Sequence, residues 1–152
     1  MKTCIKSILL VDDDLDDQRF FEEALKLVNK SICLYTAKDG IDAIDQLIVT
    51  TPDIILLDLN MPRMNGVEFL QELKASNRFR DIPVVIYSSF LSTCDKVEVM
   101  GLGAKQFVRK PIAFGETVNT IRQLLEEHTA DFVAPMYSQQ VNTATHAVNL
   151  KY

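Results

Sequence analysis

The sequence predicts an α/β protein in which a parallel sheet is covered by helices on both faces. Three observations carry this reading. Ile54-Ile55-Leu56-Leu57 is unbroken apolar sequence between Pro52 and Pro62 and runs straight into Asp58. So short a run between two prolines is a strand buried on both faces, not a helix. Ile8-Leu9-Leu10-Val11 repeats the pattern and also ends in acid, at Asp12-Asp13-Asp14. Stretches of helical spacing then alternate with strands through five βα units, and strands joined by helical crossovers lie parallel.

Taken in order, Ile5 to Val11 is the first strand. Phe21, Ala24, Leu25 and Val28 follow at i, i+3, i+4 and i+7, the stripe of an amphipathic helix. Acids crowd its N-terminal end and Lys26 and Lys30 its C-terminal end, as the helix dipole favours. Ser31 to Tyr35 is expected as the second strand. Asp39-Gly40 marks a turn, after which Ile41, Ile44, Leu47 and Ile48 form a second stripe, stopped by Thr50-Thr51-Pro52. The strand leading to Asp58 comes third. Asn65-Gly66 turns the chain into a helix from Gly66 to Ser76, with Leu70 and Leu73 inward and Glu68, Glu72 and Lys74 outward. Pro83 introduces the fourth strand, Val84-Val85-Ile86-Tyr87, which ends in Ser88-Ser89. Thr93 to Met100 is a short, weakly patterned helix. Gln106-Phe107-Val108-Arg109 is the fifth strand, closed by Lys110-Pro111. The last helix aligns Phe114, Val118, Ile121 and Leu125. Residues 129–152 are rich in Thr, Asn, Gln and Ser and fit no unit.

The chain has 152 residues, suited to one domain with a sizeable core. Its hydrophobic fraction of 47% and charged fraction of 24% are ordinary for a globular protein. A net charge of −5 argues against non-specific DNA binding and against docking on an anionic membrane. No apolar run approaches the roughly 20 residues of a membrane span. Cys4, Cys33 and Cys94 are odd in number and widely spaced, so free thiols in the cytoplasm are expected.

Four strand ends deliver polar side chains to one edge of this sheet: Asp12 and Asp13, Asp58, Ser88, and Lys110. Open α/β sheets place their ligand sites at that edge. Carboxylates gathered there repel one another unless protons or a cation neutralise them. An oxygen-only donor set suits Mg²⁺, and Asn60 stands where its backbone carbonyl could join the shell. Lys110 adds a compact positive charge and Ser88 a small hydroxyl. Such a site suits phosphoryl transfer onto Asp58, which needs mainly positioning and charge neutralisation. Each residue alone has a plainer reading. An acid after a strand is often a helix N-cap, as expected for Asp14 or Asp16, and a lone Lys-Pro is usually a turn. The signal lies in their conjunction at one edge.

Leu9-Leu10-Val11-Asp12-Asp13-Asp14, Leu57-Asp58-Leu59-Asn60-Met61-Pro62, Ser88, and Gly103-Ala104 through Phe107-Val108-Arg109-Lys110-Pro111 together resemble the motifs of the receiver domain of two-component response regulators, over residues 5 to about 128. The resemblance implies a flavodoxin-like (βα)5 doubly wound sheet of strand order 2-1-3-4-5. It implies a signalling protein, not an enzyme, whose Asp58 takes a phosphoryl group from a sensor histidine kinase or histidine phosphotransfer protein. It implies Mg²⁺ held by Asp13, Asp58 and the Asn60 backbone carbonyl, with Asp12 acting through water. Lys110 and Ser88 would contact the phosphate, and Ser88 and Phe107 would form the switch. Phe107 lacks the hydroxyl frequent at its position, and Phe90, two residues past Ser88, is placed to shield an acyl phosphate from water.

Rival functions fit less well. Phosphatases that use an aspartyl phosphate resemble DxD, and here the second acid is Asn60, which cannot serve as general acid. A phosphate-binding cofactor site would need a Gly- or Ser-rich loop after the first strand, where this chain has acids. A partner-binding receiver without chemistry would lack the acceptor, the lysine or the metal ligands. The expected organisation is a receiver domain over 1–128 and an extension over 129–152 with no output domain, so that a partner protein carries the output. A homodimer through the face of the fourth helix, fifth strand and fifth helix, or through the extension, is also expected. Val148, Leu150 and Tyr152 alternate with Asn149 and Lys151, and on this pattern the extension is expected to dock along its own domain or on a neighbouring chain, an added strand being one form of that docking.

Overall fold

The computed structural model describes residues 4–129. Ten elements alternate strictly along it: β1 (Ser7–Val11), α1 (Leu15–Val28), β2 (Cys33–Ala37), α2 (Gly40–Val49), β3 (Ile54–Leu57), α3 (Gly66–Ala75), β4 (Val84–Ser88), α4 (Thr93–Gly101), β5 (Gln106–Arg109) and α5 (Phe114–Thr129). The strands form one parallel sheet in the order β2-β1-β3-β4-β5, a doubly wound flavodoxin-like fold. Beyond Thr129 the extension over 129–152, and the expectations for it, lie outside the described residues.

The strands sort their side chains with period two onto two cores. Leu9, Val11, Ile55, Leu57, Val84 and Ile86 face Ala43 and Leu47 of α2, Phe69, Leu70 and Leu73 of α3, and Val99 of α4. Ile8, Leu10, Ile54, Leu56, Val85 and Tyr87 face Phe21, Ala24 and Leu25 of α1 and Ile121 and Leu124 of α5. Central strands buried on both faces need apolar residues at every position, which is why β1, β3 and β4 lack polar alternation.

Three expectations shift in detail. The second strand starts two residues later than Ser31, because Cys33 pairs with Ser7 while the Ser31 N–H donates to Asn29 Oδ1 at 2.9 Å in the turn after α1. On α2 the inward residues are Gly40, Ala43 and Leu47; Ile41 and Ile48 are exposed. Small residues let this helix lie close to its neighbours, and the Gly40 N–H donates to Met64 O at 3.0 Å. On α5 the buried positions are Thr117, Ile121 and Leu124, with Val118 and Leu125 half-buried and Phe114 meeting Phe20 edge-on at 5.2 Å. Among the described residues no helix is long and apolar enough to cross a membrane. Cys4, Cys33 and Cys94 are free and exposed.

Candidate functional site

The order 2-1-3-4-5 reverses direction between β1 and β3, and the crevice past their C-terminal ends is the ligand-binding edge of such sheets. Asp12 and Asp58 follow the last residues of these two strands and lie on either side of that crevice. The Asp58 N–H donates to Val11 O and the Asp12 N–H to Ala37 O, each at 2.9 Å. Both acids are buried, Asp12 to 1% exposure. The Asp14 N–H donates to Asp12 Oδ1 at 3.0 Å, and Gln18 Nε2 to the Asp12 carbonyl at 2.6 Å. Asp14 is the N-cap of α1, accepting from Asp16 N and Asp17 N; Asp16 does not cap. Asp13, the next residue, is exposed.

Ser88 closes β4 and its hydroxyl donates to Asp58 Oδ1 at 2.9 Å, with the Phe90 carbonyl a second acceptor at 3.3 Å. Lys110 follows β5, tied by its N–H to Ser88 O at 3.0 Å. Its ammonium, on a side chain only 8% exposed, meets three carboxylates: Asp12 Oδ2 at 2.7 Å, Asp58 Oδ2 at 2.9 Å and Asp17 Oδ2 at 3.0 Å. The Asp12 contact is an ion pair without well-directed hydrogen-bond geometry, leaving Oδ2 otherwise unpartnered. Burial pushes the Asp12 carboxyl up to about 6, although Lys110 and the Asp14 N–H pull it down and Asp58 adds repulsion. Burial also works against the Lys110 charge, but its close contacts with the Asp12 and Asp58 carboxylates outweigh it and hold the ammonium above its usual range.

Asp12, Asp13 and Asp58 can each bring one oxygen within 4.8 Å of the others. Three carboxylate oxygens with no histidine or cysteine among them, one atom buried and short of partners, fit a small hard divalent cation. Asn60 is exposed two residues past Asp58. The loop that carries it is drawn tight: the Gly66 N–H donates to Leu59 O at 3.0 Å, and Arg63, in the left-handed region at φ 60°, sends Nε to the buried Asp39 Oδ2 at 2.7 Å.

The structure therefore gathers Asp12, Asp13, Asp58, Ser88 and Lys110 at one edge. Phe107 stands apart, 41% exposed, with Lys96 Nζ 4.4 Å from its ring centroid. Phe90 is exposed and lines a cleft with Leu91, Lys96, Phe107 and Arg109. Sequence reasoning missed Asp17 as a partner of Lys110. The available signal was its place four residues before Phe21, which extends the inward stripe of α1 by one turn.

The model of the response regulator receiver domain matches residues 8–122. The transcriptional regulatory protein PrrA of Mycobacterium leprae is 35% identical over 123 residues, 81% of this chain and 51% of that protein, so this chain spans about half the length of that relative. The solved structure of the phosphorylated cyanobacterial phytochrome response regulator RcpA superposes with a TM-score of 0.76 at 28% identity, covering 84% of this chain and 96% of that one. The Mn²⁺-bound form of the response regulator Rcp1 superposes with a TM-score of 0.71 at 28% identity, covering 78% and 91%. With the strand order, the acidic crevice and the buried lysine found together, this chain belongs to the family of response regulator receiver domains.

Proposed function

We propose that this chain is a phosphoryl-accepting switch whose acceptor is Asp58. The donor would be a phosphohistidine on a sensor histidine kinase or histidine phosphotransfer protein. An Asp58 oxygen attacks phosphorus, the P–N bond breaks, and its electron pair stays on the imidazole nitrogen. The product is an acyl phosphate on Asp58. One observation carries this reading: a buried aspartate has one oxygen held by a hydroxyl, Ser88, and the other by an ammonium, Lys110. That arrangement orients the nucleophile and leaves both donors able to turn to phosphoryl oxygens, where charge develops.

Asp13, Asp58 and the Asn60 carbonyl would hold Mg²⁺, with Asp12 acting through water. The ion, when bound, neutralises the clustered carboxylates and the incoming phosphoryl charge. RcpA was solved in a phosphorylated state and Rcp1 with Mn²⁺, which supports both parts of the proposal by likeness. Ser88 would then move towards the phosphate and Phe107 would leave its exposed position, changing the α4, β5 and α5 face that meets a downstream protein or a second copy. A local charge change biasing one two-state surface is the general form of such switches. The chain would signal in the cytoplasm without DNA or membrane contact of its own.

The test is intact mass after exposure to acetyl phosphate and Mg²⁺. Wild-type protein should gain one phosphoryl group, and Asp58→Asn, nearly isosteric, should gain none while keeping its far-UV spectrum. Asp13→Ala should remove the Mg²⁺ requirement's saturable phase. Phosphorylation of Asp58→Asn at the wild-type level would sink the assignment.

A further inference from the structure

Asp17 has no place in the chemistry above, yet it makes a 3.0 Å ion pair with the lysine nearest the acceptor. The three carboxylates on Lys110 are not equivalent. Asp12 and Asp58 are buried beneath it, whereas the Asp17 side chain is 43% exposed. An ammonium has three donors, and all three face carboxylates here. Asp17 also lines an open cleft of about 420 Å³ that leads down to Lys110. Asp16 and Arg109 add one charge of each sign to its walls, while Phe20 and Ile112, the latter 96% exposed, make part of it apolar. The cleft beside Lys110 thus carries no net positive charge to draw an anion.

Resting on the reading of Asp58 as acceptor, we propose that Asp17 is a specificity-determining residue that limits reaction with small free phosphodonor anions. Two effects act in the same direction. The Asp17 carboxylate repels an incoming dianion directly, and it partly neutralises the Lys110 charge that would attract one. A phosphoryl group carried on a protein gains its binding from contact with the donor protein and depends less on this attraction. The plainer role of Asp17, an acid favoured in the first turn of α1 by the helix dipole, concerns stability and predicts no change in donor preference.

The probe is acetyl phosphate with Mg²⁺. An Asp58 oxygen attacks phosphorus, the P–O bond to the acetyl group breaks, and acetate leaves with the electron pair. Asp17→Asn should raise the second-order rate constant about tenfold at low ionic strength, with the gain shrinking as salt is added. Asp17→Glu, which keeps the charge, should return the rate towards wild type. Glu22→Gln makes the same change in net charge on the exposed Lys26 side of α1 and should leave the rate unchanged. An Asp17→Asn rate equal to or below wild type overturns the inference and leaves the acceptor assignment standing. Wild-type protein that gains no phosphoryl group at Asp58 overturns both.

Discussion

At the scale of single residues, Gly66 shows how closely the acceptor is held. A Cβ there would overlap the Asp58 carbonyl oxygen and stand 2.7 Å from Leu59 Cα. Both are backbone atoms, so no side chain can swing aside to make room. Gly66 is the first residue of α3, and its N–H closes the loop on Leu59 O. Gly66→Ala should therefore cost about 1–3 kcal/mol in urea denaturation. It should also slow phosphorylation by acetyl phosphate, because the atoms displaced are those of the acceptor itself. A variant of wild-type stability and rate would show that the loop yields without moving Asp58. Gly40 is crowded too, by Met64 Cβ, Cγ and Sδ, the first of these fixed by the backbone.

At the scale of elements, caps and loop contacts decide which parts are held firmly. The α3 helix begins in a capping box between Asn65 and Glu68 and buries Phe69, Leu70 and Leu73. The α4 helix has its own box, Ser92 with Asp95, but buries Val99 alone among its side chains. An element so lightly anchored opens at small free-energy cost, which suits a helix next to the proposed switch. The N-terminus of α2 is pinned differently. Asp39 accepts from the Asp42 N–H and from Arg63 Nε, coupling this helix to the loop after Asp58. The Arg63 hydrogen bond holds the Asp39 carboxyl below its usual range; burial opposes it and the Asp42 N–H assists. A depressed folded-state pKa means that the contribution is complete above the ordinary carboxylate pKa. It is lost as pH falls through the lowered folded value. Arg63→Gly suits the left-handed backbone and deletes only the pair. Urea midpoints measured from neutral pH into acid should show wild type losing stability more steeply than this variant. Parallel acid limbs would show that Arg63 does not set the Asp39 ionisation.

At the scale of the whole molecule, the two cores share one sheet. Phe21 and Phe69 lie on opposite sides of it, each essentially inaccessible to solvent. Removing either leaves a cavity, and Phe21→Ala or Phe69→Ala should each cost about 3–5 kcal/mol. Because β1, β3 and β4 contribute side chains to both cores, neither layer has a reason to unfold alone. Far-UV circular dichroism and tyrosine fluorescence, which samples Tyr87 against Phe21 at 5.8 Å, should report one coincident transition for each variant. Two separated transitions in Phe69→Ala would mean that the α2–α4 layer melts independently.

The sequence by itself determined the element order, the parallel sheet and the residues at its edge. These follow from local pattern: unbroken apolar runs mark doubly buried strands, helical spacing marks the crossovers, and a strand's last residue must end at the edge. The motifs around Asp12, Asp58 and Lys110 then implied the strand order. What only the tertiary structure decided depends on distance in space between distant parts of the chain. Asp17 and Lys110 are 93 positions apart, and the local pattern that sets Asp17 on the inward stripe of α1 does not name its partner. They meet because α1 and α5 cover the same face of the sheet, which brings the first turn of one beside the loop that leads into the other. The rotation of α2 was hidden for a related reason. Hydrophobicity favours burying Ile41 and Ile48, but close approach to α3 and its loop favours Gly40 and Ala43, and steric fit prevails where helices pack tightly.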